Sequence, residues 1–301
     1  MDKIVLFSVI IPTVGRKTLD DCLLGLTALR FSRVRFEVIL VNDNPAVSLQ
    51  STVNRFNKQI NITYTESRET GPAAARNHGS KLARGKFLVF TDDDCVPAPD
   101  WLDCALNELA DSKEPALAGR VINGLEKNAY AVVNQNIYDV LFSWYNTNSE
   151  QARFAMSNNL IVPSRAFAAL NGFDADFSSP GGEDRDFIDR WLEQGGLLKY
   201  ATTVSVYHFQ ELSFAGFLKK HYTYGQGACL CQEKKTRRQQ EGRKTPDRIP
   251  HAPFPLSRLW QEFDIGTGAL SKTVLTTLLI FSQLSTAVGY FIEKQRIVLA
   301  R

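Results

Sequence analysis

Two short apolar runs in this chain end in carboxylate or amide side chains, and that leaves few folds open. Phe36-Glu37-Val38-Ile39-Leu40-Val41 stops at Asn42-Asp43, and Lys86-Phe87-Leu88-Val89-Phe90 runs into Thr91-Asp92-Asp93-Asp94. Runs of this length, rich in branched residues and closed by turn formers, are the mark of strands buried on both faces. Phe7 to Ile11, closed by Pro12, and Ile62 to Thr65 add two more. Between the first two strands, Leu19, Cys22, Leu23, Leu26 and Leu29 recur at helical spacing. Thr18 is placed to cap that helix, and Asp20 and Asp21 suit its positive first turn. A second helix opens at Gly71-Pro72, where the missing proline N–H costs nothing. Strand–helix–strand units of this kind build a parallel sheet through right-handed crossovers. The expected class is therefore α/β, with a mostly parallel central sheet flanked by helices. Ligands of such sheets collect beyond the carboxyl ends of the strands. Asp43 and the run Asp92–Asp94 are thus expected on one edge.

The second half is less regular. Ala116 to Ile122 and Ser157 to Val162 read as strands, the latter followed by a helix from Pro163 to Leu170. Asn171 to Asp174 reads as a turn. A helix runs from about Glu183 to Gln194, stopped by Gly195-Gly196, and a strand through Val204–Tyr207 ends at His208. From Glu233 to Arg248 seven Lys and Arg residues face only Glu233, Glu241 and Asp247, which reads as a solvated basic loop. Thr273 to Ile292 carries no charge. A spanning helix needs ~20 mostly apolar residues. This stretch is long enough, but Thr276, Ser282, Gln283 and Ser285 interrupt it. A weak span, an in-plane helix and a docking helix all stay open.

Composition excludes several classes of function. Among 301 residues, 35 Lys and Arg stand against 32 Asp and Glu, for a net charge of +3. That is too balanced for a nucleic-acid binder relying on massed positive charge, so no nucleic-acid partner is expected. Five cysteines, an odd number without a CxxC pair, fit a reducing compartment. The opening MDKIVLFSVIIP reads as a strand and not a signal peptide, so a cytoplasmic location is expected.

Three consecutive aspartates repel one another, and a cation relieves the repulsion. Oxygen ligands suit Mg²⁺ or Mn²⁺ bridging carboxylates to substrate phosphates. In an extended segment Asp92 and Asp94 face one ligand while Asp93 faces away. The competing reading is a solvated acidic turn. Glu183 and Asp184 open a helix whose apolar stripe is Phe187, Ile188, Trp191 and Leu192, and both acids continue the inward face. They are either helix-dipole caps or a general base beside a cleft. Asp186 and Asp189 are read as surface or salt-bridge residues. His208 is either a satisfied core residue or a metal ligand. Arg76, among Ala73, Ala74 and Ala75, is either a phosphate contact or an ordinary surface arginine. GxGxxG, GxxxxGK[ST] and GxSxG are all missing.

Taken together, SVIIPTVGR, EVILVNDNP, GPAAARNHG, LVFTDDDCVPAPDWL, SNNLIVPSRAFAALNGFDADF, GGEDRDFIDRW and VYHF resemble the family 2 glycosyltransferases of the GT-A fold. The order is kept over about residues 7–210. The resemblance implies a Rossmann-like GT-A sheet with a C-terminal helical extension. It implies an inverting, metal-dependent transfer from a nucleoside-diphosphate sugar, a UDP-sugar first among them, to a glycan or lipid-linked hydroxyl. Carried over residue by residue, Pro12, Thr13 and Asp43 match the nucleotide site, with Asn42 where the family has an acid. Arg76 lies near the nucleotide. Asp92, Asp93 and Asp94 match the DxD segment, with Asp94 and Asp92 as ligands of Mn²⁺ or Mg²⁺ and His208 completing the metal site. Asp184 matches the catalytic base, with Glu183 beside it. Trp101, Asn158 and Asn159 match acceptor-side positions.

The organisation expected is a nucleotide-sugar half over residues 1–110, an acceptor half with the base over 111–230, and a basic loop plus apolar helix over 231–301. The last part is either held on the inner face of the cytoplasmic membrane or packed on the enzyme. Two other functions compete: a nucleotidyltransferase acting on sugar phosphates, and a non-catalytic sugar-binding protein on the same fold. Against the first, the loop Thr13–Lys17 is short and poor in glycine.

Overall fold

The computed structural model describes residues 4–67, 69–110, 114–177, 181–242 and 271–299. Eight strands form one sheet: β1 (Phe7–Thr13), β2 (Phe36–Asn42), β3 (Ile62–Glu66), β4 (Phe87–Thr91), β5 (Cys95–Pro97), β6 (Ala116–Asn123), β7 (Asn159–Pro163) and β8 (Leu198–His208). Their order is β3-β2-β1-β4-β7-β6-β8-β5. The pairs β1–β2, β2–β3, β1–β4 and β6–β8 are parallel. β7 runs against both β4 and β6, and β5 runs against β8. β1, β2, β4 and β7 are buried at every position, as their unbroken apolar runs predict.

Each face of the sheet carries its own core. On one face Phe7, Val9 and Ile11 meet Leu23 and Leu26 of α1 (Leu19–Thr27) and Trp101 of α4 (Trp101–Glu108). On the other, Ile10, Ile39 and Val41 meet Ala73 and Ala75 of α3 (Pro72–Leu82). There a Cβ on Gly79 would sit 2.7 Å from the Ile10 methyl, so the small residues of α3 set how closely it approaches the sheet. Phe167 of α6 (Ser164–Ala169), Phe173 and Phe187 of α7 (Glu183–Glu193) extend this core in edge-on and tilted ring contacts 5.1–5.3 Å apart.

Several local expectations change. Thr18 precedes α1 but its hydroxyl caps nothing; Oγ1 is buried without a hydrogen bond, because the residue is already helical (φ −66°, ψ −16°). Four helices are not anticipated from the sequence: α2 (Gln50–Phe56), α4, α5 (Ala129–Tyr145) and α8 (Phe214–Gln240). α5 is apolar on most sides and packs between elements, so it lacks a clean amphipathic stripe. Its start is marked by Asn128, which accepts from Ala131 N at 3.0 Å.

The basic segment is corrected most. α8 runs from Phe214 to Gln240, so Lys234, Lys235, Arg237 and Arg238 are helical rather than in a loop. Lys235 and Arg238 are buried, with Arg238 paired to Asp186 at 2.6 Å and Glu193 at 3.0 Å. Asp186 and Asp189 are likewise buried ion-pair residues and not surface ones. Counting charge along the sequence exposed the surplus base but not the acids waiting on α7. Arg243, Lys244 and Arg248 lie outside the described residues. α8 also runs through the boundary expected at residue 230.

The uncharged stretch forms α9 (Lys272–Leu299), which packs along α8. A Cβ on Gly225 would lie 1.9 Å from the Thr286 carbonyl oxygen, and one on Gly289 would lie 2.0 Å from that of Tyr222. The two glycines let the helix backbones touch. Leu275, Leu278 and Leu279 then close a third core with Val133, Ile137 and Val140 of α5 and Phe217 of α8. Full burial of such a side chain is worth about 1.5–3 kcal/mol.

Candidate active site

A cleft of about 530 Å³ lies beyond the carboxyl ends of β1, β2 and β4. It gathers Pro12, Thr13, Asp43, Arg76, Asp92, Asp94, Asn158, Glu183, Asp184 and His208, residues spread over almost 200 positions of sequence. Asp93, Trp101 and Asn159 are not part of its lining. Trp101 is fully buried and donates its indole N–H to Asn159 Oδ1 at 3.0 Å. Asn159 in turn donates to the Arg120 and Val204 carbonyls, each at 2.9 Å. The pair holds the sheet together at the β6–β8 bulge, which is where backbone carbonyls lose their ladder partners.

The three aspartates occupy a turn between β4 and β5, closed by Cys95 N donating to Asp92 O at 3.1 Å. They do not form an extended strand, so the turn and not strand alternation separates their side chains. Asp93 faces away from the cleft, accepting from Thr13 Oγ1 at 2.5 Å and from Arg16. That contact pins the acidic turn to the end of β1. Asp92 reaches Arg76 Nη2 at 2.6 Å. Asp94 Oδ1 lies 3.3 Å from His208 Nε2. The β5–β8 register sets Cys95 opposite His208, and Phe209 N donates to Asp94 O at 2.8 Å, so the pairing of two strands brings this acid and histidine together. Burial works against the charge on Asp94, but the His208 hydrogen bond, with Arg16 behind it, outweighs burial and holds the carboxyl below its usual range.

Asp94, Cys95 and His208 each offer a donor atom within 4.8 Å of the others. Burial, reinforced by Asp94 and Asp92, pushes the Cys95 thiol well up, which disfavours its thiolate beside these acids. Asp94 and His208 supply a carboxylate and an imidazole there, and Asp92 lines the same cleft. That oxygen and nitrogen set fits a hard or borderline divalent ion such as Mn²⁺ or Mg²⁺.

The opposite wall is the start of α7. Gly181 and Gly182 take φ of 112° and 100°, a bend that side chains resist. Gly227 of α8 backs this bend: a Cβ there would lie 2.0 Å from the Gly181 carbonyl oxygen. Glu183 is buried and spoken for, by Arg76 Nη1 at 3.1 Å and Gly181 N at 2.9 Å. Asp184 accepts from Ser157 N at 3.2 Å and Arg185 N at 2.7 Å, and among the described residues it has no ion pair. Burial first, then the charge of Glu183, pushes Asp184 up to about 7. Beside it Asn158 lines the cleft, and its side-chain oxygen is buried without a hydrogen-bond partner.

Asp43 sits at the end of β2 and accepts from Gly71 N at 3.0 Å. Asn42 stays inside, donating to Val47 O at 2.8 Å and to the Tyr64 hydroxyl at 3.2 Å, and so shapes the loop after β2. Sequence reasoning missed Tyr138 of α5 and Lys219, Lys220 and Tyr224 of α8, all in the cleft lining. The spacing of 216, 219, 220, 223 and 224 is one helical face and was the available signal.

An acid-rich turn with a histidine stands on one wall and a half-buried helix carboxylate on the other, the arrangement of a candidate group-transfer site on an α/β fold. The chain belongs to glycosyl transferase family 2, whose model matches residues 8–174. A model described as the N-terminal domain of galactosyltransferase matches residues 142–212. The chain is 27% identical over 270 residues to a pre-mycofactocin glycosyltransferase of Mycobacterium tuberculosis, covering 84% of this chain and 53% of that one. It is 25% identical over 234 residues to a hyaluronan synthase of Pasteurella multocida, covering 67% and 24%. The chain therefore spans about half, or a quarter, of these relatives. Among solved structures it is similar to the mannosyltransferase PcManGT of Pyrobaculum calidifontis in complex with GDP-Man and Mn²⁺ (TM-score 0.59, 17% identity, 99% of this chain and 82% of that one). It is also similar to S. aureus TarS 1-349 in complex with UDP-GlcNAc (TM-score 0.55, 15% identity, 99% and 93%). The likeness shows the GT-A fold.

Proposed function

We propose that this chain is a metal-dependent, inverting glycosyltransferase. It moves a sugar from a nucleoside-diphosphate sugar, a UDP-sugar first, to a hydroxyl of a glycan or lipid-linked acceptor. Asp184 carries the reading: it is a cleft carboxylate outside any ion pair among the described residues, raised to about 7, across from the acidic turn. Such a group takes a proton at neutral pH. The neighbouring structures that hold GDP-Man with Mn²⁺ or UDP-GlcNAc support a nucleotide-sugar donor and a divalent ion.

In this reading Pro12, Thr13 and Asp43 receive the nucleoside. Asp94, Asp92 and His208 hold the ion, which when bound neutralises the departing diphosphate. Arg76 keeps Asp92 and Glu183 in place from either side. Asp184 accepts the acceptor hydroxyl proton as that oxygen bonds to the anomeric carbon. The bond from that carbon to the diphosphate breaks, the pair leaving with the phosphate oxygen, and configuration inverts. A panel of nucleotide sugars tested by thermal shift with Mn²⁺, then for hydrolysis, checks the assignment. Release of pyrophosphate from a sugar phosphate and a nucleoside triphosphate points to a nucleotidyltransferase instead, and no turnover of any donor to a non-catalytic protein.

The location proposed is the cytoplasmic face of the membrane. α9 is long and apolar enough to cross a bilayer by length and composition. One face is packed on α8, while Phe281, Leu284, Val288 and Phe291 are exposed. That supports an in-plane helix with its apolar face in the lipid interface. Flotation with vesicles containing anionic lipid tests it, and protein that stays at the bottom of the gradient rejects it.

A further inference from the structure

Two residues past Asp184, the Asp186 carboxylate is fully buried and held from both sides by arginines. Arg238 Nη1 of α8 donates to Oδ1 at 2.6 Å, and Arg190 Nε of α7 donates to Oδ2 at 2.7 Å. Arg238 Nε also donates to Glu193 Oε2 at 3.0 Å, so one guanidinium from α8 reaches both the first and the last turn of α7. The other nitrogens of Arg190 donate to the Leu170 and Gly172 carbonyls, at 2.7 and 2.8 Å. Next to Gly172, Phe173 exchanges hydrogen bonds with the Asn77 side chain of α3, which donates to its carbonyl at 2.7 Å and accepts from its N–H at 2.9 Å. Asn77 follows Arg76, the residue that holds Asp92 and Glu183. Asp186 is thus the junction through which α8, the end of α6 and α3 meet the start of α7.

The same residue closes the helix start. Asp186 N donates to Gly182 O at 2.9 Å, and the turn closed by this bond contains Glu183 and Asp184. Upstream stand Gly181 and Gly182, whose wide conformational freedom lends the turn little restraint of its own. We infer that Arg238 is a positioning residue for the base: acting through Asp186, it fixes the first turn of α7 and with it Asp184, an inference resting on the glycosyl-transfer reading. Arg238 does not line the cleft, so it acts through α7 and not on a substrate. It also lies beyond the residues matched by either family model, 8–174 and 142–212. Stability alone accounts poorly for such a contact. Desolvation offsets most of the attraction in a buried ion pair, and replacing the whole pair by apolar groups is often neutral. The best-attested use of such pairs is to fix register, and the register fixed here is that of the helix start carrying Asp184. The catalytic unit therefore extends along α8 as far as Arg238.

Three variants test this. Arg238→Met removes the fork, Arg238→Lys keeps the charge but cannot span Asp186 and Glu193 as the fork does, and Leu275→Ala cuts the third core away from α7 as a stability control. Hydrogen exchange of a peptide covering residues 182–193 reads the helix start without turnover. In Arg238→Met it is expected to speed up by about tenfold or more, with Leu275→Ala within about twofold of the wild type. In donor hydrolysis, kcat of Arg238→Met falls by about 10–10²-fold, as for a base displaced by part of an ångström, while the donor KM stays within about threefold. Arg238→Lys recovers part of both losses, and it carries the comparison alone if Arg238→Met does not fold. Wild-type exchange of α7 in Arg238→Met and Arg238→Lys overturns the positioning role. So does an equal fall in kcat in Leu275→Ala, which would mark the loss as one of general stability. A wild type that turns over no donor counts against the transfer reading, while the exchange result still decides whether Arg238 fixes the helix start.

Discussion

Arg76 Nη1 lies 3.1 Å from Glu183 Oε1, and this contact separates the roles of two adjacent acids. Glu183 is neutralised by the same guanidinium that holds Asp92 across the cleft, while Asp184 is left to titrate. Replacing Arg76 by Met strands two carboxylates, one of them buried. Loss of one partner of a buried pair typically costs about 3–5 kcal/mol. The melting temperature of Arg76→Met should fall by roughly 6 °C or more, at ~2–4 °C per kcal/mol for a chain of this size. An unchanged melting curve contradicts the bridging role.

The pH dependence follows from Asp184. Its carboxyl titrates near 7 in the folded chain against ~3.9 when unfolded. The base must be ionised to accept a proton, so kcat should fall about tenfold per pH unit below about 7. Stability runs the other way. A raised folded value favours the protonated state, so its contribution is complete below about pH 4 and is lost as pH rises through 7. Asp184→Asn should melt with the wild type at pH 4 and above it at pH 8. Differential scanning at the two pH values checks the sign.

The ion site predicts a separate response. Excess chelator should stop turnover, and Mn²⁺ or Mg²⁺ should restore it. His208→Ala removes the imidazole beside Asp94. It should raise the half-saturating Mn²⁺ concentration by about tenfold or more. Full activity in chelator rejects Asp94 and His208 as metal ligands.

Gly227 tests how α8 positions the base. A Cβ there meets the Gly181 carbonyl at 2.0 Å, so Gly227→Ala must displace the bend that opens α7. A misplacement of ~1 Å can cost ~10²-fold in rate. Nucleotide binding at β1 and β2 lies on the other wall and should persist. Isothermal titration with UDP, beside a rate assay, separates the two effects.

Much of this was legible in the sequence because the strand ends are local signals. Asp43, Asp92, Asp94 and His208 each follow an apolar run, and strand pairing brings them to one edge. Glu183 and Asp184 were legible from helical phase. The division of labour between them was not, because it depends on Arg76, 107 positions away. Trp101 and Asn159 looked like acceptor residues by position along the chain, yet a mutual hydrogen bond keeps both in the core. The basic run was misread for a related reason. Lys235 and Arg238 look like solvated loop charges until α7 supplies Asp186, Asp189 and Glu193. The glycines of α8 and α9 carried no signal alone, since their meaning lies in the carbonyls they let approach.

The central claim is that Asp184 is the base. The most direct measurement is the turnover rate of Asp184→Asn with Mn²⁺ and a donor the wild type uses, beside the affinity of that donor. Asparagine keeps the shape and removes the proton acceptor. The account predicts a fall in kcat of about 10²–10⁴-fold with donor affinity nearly unchanged. Turnover within a few fold of the wild type would contradict it.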